Sequence, residues 1–142
     1  MPFTLHIDIV SAEALIFSGR AEMVVLPAVR GEIGVLPRHA PLLAHLKAGA
    51  VRVIVDQENE ETFFISGGFA EVQPWVVTVL ADTVLRGREL DEAAARRAKE
   101  HAEKELDGHK LSPEEYNRLK AELDLTTALL RTINDMRARK KI

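Results

Sequence analysis

The sequence predicts a two-part β + α fold, an N-terminal antiparallel β-sandwich followed by a C-terminal antiparallel helix-loop-helix hairpin. Short apolar runs separated by turn residues fill residues 1–86, a pattern typical of a sandwich or barrel rather than a parallel α/β sheet. From Leu90 onward, apolar residues recur every three or four positions, which is the period of an amphipathic helix. We therefore expect two domains, residues 1–86 and 87–142.

Composition excludes several classes of protein. The 142 residues are 46% apolar with a net charge of −3, so a core can form and nucleic acid is not expected as the main partner. The absence of cysteine excludes disulfides, thiolate metal sites and cysteine nucleophiles. The N-terminal MPFTLHIDIV lacks the features of a signal peptide, and no apolar run approaches the ~20 residues of a membrane span. We expect a soluble protein that meets a membrane only through partners.

The strands of the first domain follow from alternation and turn signals. The first strand is indicated by apolar residues at every second position, namely Phe3, Leu5, Ile7 and Ile9. Around Phe17–Arg20 the sequence predicts a hairpin or a bulged strand pair. Further strands are expected at Leu42–Leu46, Gly49–Asp56, Glu61–Ile65, Phe69–Val72 and Val76–Leu80.

The stretch Gly31 to Leu43, GEIGVLPRHAPLL, is the most distinctive in this domain. It alternates turn formers with large apolar residues, whereas a plain connecting loop would be polar throughout. We expect part of it to pair as a strand and the rest to project as a tip that meets a partner.

The second domain is predicted to form two helices. The first has a face rich in alanine, made of Leu90, Ala93/Ala94, Arg97/Ala98, His101/Ala102 and Leu106. Gly108 is expected to end it with a left-handed cap, and Ser112 to Glu115 form a capping box that starts the second helix. The second stripe is Tyr116, Leu119, Leu123, Thr126, Leu130, Ile133 and Arg137. The short link makes the helices antiparallel, and the pattern leaves open whether they form a mobile arm or pack permanently on the sandwich.

Five segments in one order make the chain resemble the epsilon subunits of F-type ATP synthases, called delta in mitochondria. They are SAEALIFSG at 11–19, GEIGVLPRHAPLL at 31–43, FISGGFAEVQP at 64–74, VTVLADTVLRG at 77–87 and LDEAAARRA at 90–98. Together they span nearly the whole chain, which is far more specific than a single short motif.

The resemblance implies a non-catalytic rotor subunit in the central stalk of a proton-translocating ATP synthase. The sandwich would contact the gamma subunit and the c ring. The hairpin would either fold against the sandwich or extend along gamma toward the alpha and beta subunits of the catalytic head, where it inhibits ATP hydrolysis. Such a subunit lies on the cytoplasmic face of the bacterial plasma membrane, held there only by the complex.

The resemblance makes Glu32, Arg38 and His39 candidates for contact with the c ring, since Glu32 and His39 lie at positions that the family uses near the c-ring loops. The alternative is that the local glycines and prolines merely shape a turn and both side chains are solvated. Arg38 stands where many relatives carry glycine. If that position needs a positive φ, arginine is strained there, so the turn is expected to differ.

Some relatives bind ATP through a motif Ile/Leu-Asp-x-x-Arg-Ala, which makes an ATP-sensing module the alternative function. This chain matches the motif at Leu90, Asp91 and Ala95 but carries Ala94 in place of the arginine. Cations for the phosphates would then have to come from Arg96, Arg97 and Arg131. The other interpretation is that Asp91 simply favours a helix N-terminus.

The C-terminal tail is basic. It holds Arg131, Arg137, Arg139, Lys140 and Lys141 against Asp135 alone. The resemblance implies that these cations contact acidic loops of the beta subunits and so serve the inhibitory arm. The alternative is that they only complement the negative end of a helix.

Several other features favour non-catalytic interpretations. No nucleophile–base set is recognisable, and the five histidines lack paired metal-ligand spacing, so we expect no metal site. Ser66-Gly67-Gly68 lacks the spacing of a phosphate loop and predicts a bulge or a close approach of strands. Trp75 is either a packing anchor or part of the gamma contact. An enzyme and an adaptor of some other complex remain the rival classes.

Overall fold

The structure, a computed structural model, describes residues 3–108 and 110–140. The chain divides into two compact units, Met1–Arg88 and Glu89–Ile142. The described strands are β1 (Leu5–Ser11), β2 (Leu15–Ala21), β3 (Met23–Ala28), β4 (Gly31–Val35), β5 (Leu42–Leu46), β6 (Gly49–Ile54), β7 (Glu60–Ile65), β8 (Gly68–Val72), β9 (Val76–Ala81) and β10 (Val84–Arg86). A 3-10 turn at Gly87–Glu89 precedes helices α1 (Glu92–Gly108) and α2 (Pro113–Lys140).

The first unit is one sheet that folds around a single core. Its strand order is β10-β7-β6-β3-β5-β8-β9-β1-β2, with β4 paired to β3 off this path. All pairings are antiparallel except β1 with β9, so the predicted β-sandwich is confirmed with one parallel pair. The two edge strands, β10 and β2, are joined by a hydrogen bond: the guanidinium of Arg86 in β10 donates to the carbonyl of Ile16 in β2 at 2.6 Å.

Alternation along the strands places the core. Leu5, Ile7 and Ile9 are at most 1% exposed while the residues between them are half-buried, as a period of two requires. The residues Phe17–Arg20 lie inside β2, so the predicted hairpin at this point is wrong. The turn lies at Ala12–Ala14 and is held by the Ser11 hydroxyl, which accepts a hydrogen bond from the Ala14 amide. The alternative of a bulged pair is also wrong at this point, because Phe17–Arg20 pair in regular register with His6–Ile9 of β1, and the irregularity in that pairing lies between Ile9 and Val10.

The predicted close approach at Ser66–Gly68 is confirmed. Gly67 and Gly68 have φ of 127° and 148°, which a residue with a Cβ rarely adopts. A Cβ on Gly68 would overlap the carbonyl oxygen of Leu80 in the neighbouring strand β9. The two glycines therefore let β8 begin in register beside β9.

The helical starts of the second unit agree with the sequence. The carboxylate of Asp91 accepts a hydrogen bond from the Ala94 amide at 3.2 Å, and the hydroxyl of Ser112 accepts one from the Glu115 amide at 3.2 Å, so both are N-caps. Gly108 is the last residue of α1 and is not among the glycines of positive φ. The predicted left-handed cap at Gly108 is therefore wrong.

The helices pack antiparallel through a seam that is thin on one side. Helix α2 buries the predicted stripe at Leu119, Thr126, Leu130 and Ile133. On α1 the fully buried residues are Ala95 and Ala102, whereas four members of the predicted face, Ala93, Ala94, Arg97 and His101, are exposed. Of the helices in the described part of the chain, none has the length and apolar character needed to cross a membrane.

Candidate functional site

The stretch Gly31 to Leu43 is divided as predicted, with β4 at its start, a loop over residues 36–41 and β5 from Leu42. Glu32 is exposed and pairs with Pro27 beside the β3–β4 turn. Arg38 and His39 instead follow the far end of β4, beyond Val35. A strand advances about 3.3 Å per residue, so ~10 Å separates Glu32 from Val35 alone. The structure brings Arg38 and His39 together and leaves Glu32 at the other end of the strand.

Arg38 adopts the left-handed conformation in which an arginine is expected to be strained. Its φ is 72°, so the turn does not change to avoid a positive φ. The Arg38 amide donates to the Pro74 carbonyl at 2.7 Å, and its guanidinium lies 4.3 Å from the Phe3 ring centroid and 5.7 Å from that of Trp75. The two rings meet edge to face at 6.0 Å. These contacts form an aromatic cluster, Phe3, Arg38 and Trp75, that offsets the strain.

The aromatic cluster is at the surface rather than in the core. Phe3 is 59% and Trp75 47% exposed, so Trp75 packs against Phe3 and Arg38 with about half of its surface open to solvent, and both interpretations of Trp75 stay predictions. His39 is half-buried, and its Nδ1 lies 2.7 Å from the Ala40 carbonyl oxygen, to which it donates when protonated.

At the other unit, the charged residues meet where α1 begins and α2 ends. The Glu92 carboxylate accepts a hydrogen bond from Arg96 Nη2 at 2.8 Å through Oε1 and pairs with Arg137 Nη2 through Oε2. The hydrogen bond from Arg96, and then the charge of Arg137, lower the pKa of Glu92. Sequence reasoning missed Glu92. Two signals could have found it, the i,i+4 spacing to Arg96 and the place of Arg137 at the end of the α2 stripe.

The candidate ATP-binding residues do not form one cationic site. Arg96 and Arg97 line an open depression of about 390 Å³ on α1, but its other lining residues are Glu92, Ala93 and Glu100. Asp91 and Arg131 do not line it, and Asp91 is occupied as the cap of α1. Two carboxylates beside the arginines oppose the approach of a polyphosphate.

The cations of the basic tail differ in their exposure and in their pairing. Arg131 is exposed, Arg137 is paired with Glu92, and Arg139 is half-buried. The side chain of Lys140 and all of Lys141 lie outside the described residues.

One cluster in the sandwich contains the residue types of a hydrolase. His6 Nε2 lies 2.9 Å from Asp8 Oδ1 and 3.1 Å from Ser18 Oγ. Hydrogen bonding from Ser18, and then the interaction with His6, lower the pKa of Asp8. Both partners use the same ring nitrogen, whereas a catalytic triad needs the carboxylate and the hydroxyl on opposite nitrogens. The described residues also include no group of three or more His, Asp or Glu placed to hold a metal ion.

The chain is similar to known proteins over nearly its whole length. The family model "ATP synthase, Delta/Epsilon chain, beta-sandwich domain" matches residues 4–87, and "ATP synthase, Delta/Epsilon chain, long alpha-helix domain" matches residues 88–134. The ATP synthase epsilon chain of Alkalilimnicola ehrlichii is 53% identical over 97% of this chain and 98% of its own length. That of Nitrosomonas europaea is 52% identical over 94% of this chain and 95% of its own.

A solved structure shares the fold. A chain in the cryo-EM structure of the Euglena gracilis mitochondrial ATP synthase, OSCP/F1/c-ring in rotational state 1, matches with a TM-score of 0.81 and 21% identity over 91% of this chain and 81% of that chain. With both family models matching in order and relatives more than half identical over nearly their full length, the chain belongs to the delta/epsilon chain family of ATP synthases.

Proposed function

We propose that this protein is a non-catalytic central-stalk subunit of a proton-translocating ATP synthase, peripheral on the cytoplasmic face of the bacterial plasma membrane. The observation that carries the proposal is the match of both family domains, in order, to the two structural units. In this proposal the sandwich contacts the gamma subunit and the c ring, and the hairpin is the arm that limits ATP hydrolysis by the alpha–beta head.

The proposed ring contacts are Glu32, Arg38 and His39. Because β4 separates Glu32 from the other two, a ring subunit that touches all three must extend along the strand. The two ends are therefore expected to contribute independently to attachment. The Arg38 guanidinium lies on Phe3 and Trp75, so its share of the contact is expected to be smaller than that of Glu32 and His39.

Reconstitution tests this part of the proposal. The full chain is expected to capture the purified gamma subunit, and the Glu32→Ala, His39→Ala double variant is expected to couple proton flow to ATP synthesis less tightly than either single variant. A chain that ignores gamma would contradict the stalk assignment. Undiminished coupling in the double variant would contradict the proposed ring contacts but would not contradict the stalk assignment.

The proposed inhibitory contacts are the cations of the tail, Arg131, Arg137, Arg139, Lys140 and Lys141. Their charge suits acidic surface on the beta subunits. Deleting residues 131–142 is expected to raise the ATPase activity of the reconstituted head. Because that deletion also removes the seam residue Ile133, the Arg131→Gln variant, at an exposed position, serves as the milder comparison. Unchanged ATPase activity in both variants would show that the tail is not an inhibitor.

A further inference from the structure

We infer that Glu92 is a latch that holds the helical hairpin closed and keeps Arg137 from an acidic partner. The second half of this statement rests on the proposed function, in which the cations of α2 dock on the catalytic head. The first half concerns the hairpin alone.

The geometry of Glu92 is that of a preorganised double acceptor. It lies in the first turn of α1 and Arg137 in the last turns of α2, so the antiparallel arrangement brings them together. Arg96, one helical turn after Glu92, donates to Oε1 at 2.8 Å and so fixes the carboxylate with Oε2 toward Arg137. The Glu92 side chain is 21% exposed, against 60% for that of Arg137. The carboxylate is therefore held, while the guanidinium that it holds remains accessible.

A latch matters here because the apolar seam is weak. The buried cluster of this unit holds Ala95, Leu130 and Ile133, and α1 supplies only alanine to the fully buried part of the seam. An alanine methyl buries little apolar surface. In the middle of the seam, Thr126 is buried with its hydroxyl donating to the carbonyls of Glu122 and Leu123 in its own helix, so the proton of that hydroxyl is used within α2. A single charged contact can then change the closed population measurably.

The latch and an acidic partner compete for Arg137. A partly exposed ion pair changes an equilibrium by roughly 1.5- to 5-fold. Removing the Glu92 carboxylate should raise the open population of the hairpin by that factor. It also removes the ion pair that Arg137 makes with Glu92. By linkage, any partner that binds the open hairpin then binds more tightly by the same factor.

Amide hydrogen exchange on the full chain tests the latch without any partner. In Glu92→Gln, amides of α2 around Leu130 and Ile133 are expected to exchange 1.5 to 5 times faster than in the unmodified protein. Arg137→Gln should have an equal or smaller effect, because Glu92→Gln also removes the hydrogen bond from Arg96, and the double variant should not exceed Glu92→Gln, since the Arg137 contact is already lost there. Arg131→Gln removes an exposed arginine of the same helix outside this pair and should leave exchange unchanged. Unchanged exchange in Glu92→Gln, or additive effects in the double variant, would overturn the latch.

ATPase activity of the reconstituted head then tests the competition. Glu92→Gln is expected to inhibit 1.5 to 5 times more strongly, Arg131→Gln less strongly, and Arg137→Gln to fall between them because it loses both latch and contact. If Glu92→Gln raises amide exchange but inhibits less strongly, Glu92 does not keep Arg137 from an acidic partner. If the unmodified chain itself does not inhibit, the proposed function fails, and hydrogen exchange alone decides whether Glu92 closes the hairpin.

Discussion

Arg38 combines an unfavourable backbone conformation with a favourable side-chain contact, and the two can be separated. A left-handed φ of 72° costs a residue with a Cβ about 1 kcal/mol, whereas the cation–π contacts with Phe3 and Trp75 return about 0.5–1 kcal/mol at an exposed site. Arg38→Ala keeps the cost and loses the contact. Arg38→Gly loses both, so we expect it to be about 1 kcal/mol more stable than Arg38→Ala.

Urea unfolding followed by tryptophan fluorescence measures this difference, because Trp75 is the only tryptophan in the chain and lies in the cluster. Arg38→Ala should unfold at lower urea than the unmodified protein, by about 0.5–1 kcal/mol in free energy. Equal stabilities for the alanine and glycine variants would show that the backbone at this turn is not strained.

Gly68 is the glycine for which a side chain has no room. Its φ is 148°, and a Cβ would overlap the Leu80 carbonyl oxygen. Gly31 has a similar φ of 135° but nothing within 4 Å of a Cβ. We expect Gly68→Ala to lower the free energy of unfolding by about 2–3 kcal/mol and Gly31→Ala by about 1 kcal/mol. Losses of the same size in urea titrations would mean that the strands relax around the added methyl group.

The sequence identified Arg38 as a strained residue but could not show what stabilises it. Phe3 and Trp75 are distant in sequence, and they meet because β1 pairs with β9 in parallel, a pairing that alternation alone does not specify. The same holds for Glu92 and Arg137, whose contact depends on the register of two helices.

At the scale of elements, periodicity was informative where side chains are bulky. The phase of the α2 stripe was correct over Leu119–Ile133 because leucine and isoleucine mark it, although its end members Tyr116 and Arg137 are exposed. The run Ala93–Ala95 gives α1 no large residue to fix its buried face. Gly19 suggested a turn but lies within β2. Strand β10, three residues long, is too short for an alternating pattern and was missed.

The hairpin should lose stability in acid through Glu92. Its pKa is lowered in the folded protein by the hydrogen bond from Arg96 and the charge of Arg137, below the value of about 4.3 in an unfolded chain. The ionised carboxylate thus stabilises the hairpin above that pH, and this contribution is lost as pH falls through the folded pKa. Helical ellipticity at 222 nm under mild urea is expected to decline as pH falls below about 4.3, less steeply in Glu92→Gln. Identical profiles would mean that other carboxylates control the transition.

The start of α1 is not expected to bind ATP. Ala94 replaces the arginine of the motif, and Glu92 and Glu100 share the depression with Arg96 and Arg97, so a polyphosphate meets as many carboxylates as cations. Isothermal titration of the full chain with ATP at millimolar concentration should give no saturable heat. The informative comparison is Glu100→Gln, which removes one of the two carboxylates. Saturable heat from the unmodified chain would establish the ATP-sensing alternative instead.

At the scale of the whole molecule, the two units differ in how much core each contains. The buried cluster of the sandwich, drawn from most of its described strands, contains the apolar residues Leu5, Ile7, Ile9, Ala21, Val24, Leu26, Val35, Ala44, Leu46, Val51, Val53, Phe63, Ile65, Ala70, Val72, Val77, Val79 and Ala81. The hairpin cluster contains Ala95, Leu130 and Ile133. Since buried apolar area is the main favourable term in folding, the sandwich should be the more stable unit.

Unfolding is therefore expected in two steps, with the helices first. Ellipticity at 222 nm reports mainly on α1 and α2, and fluorescence of Trp75 reports on the sandwich, so the two signals follow different units in one sample. The helical transition should come at lower urea. Glu92→Gln should shift only the helical curve and Gly68→Ala only the fluorescence curve. Coincident curves that both variants shift together would mean that the units unfold as one, and an arm that opens while the sandwich stays folded on its partner would then lack its physical basis.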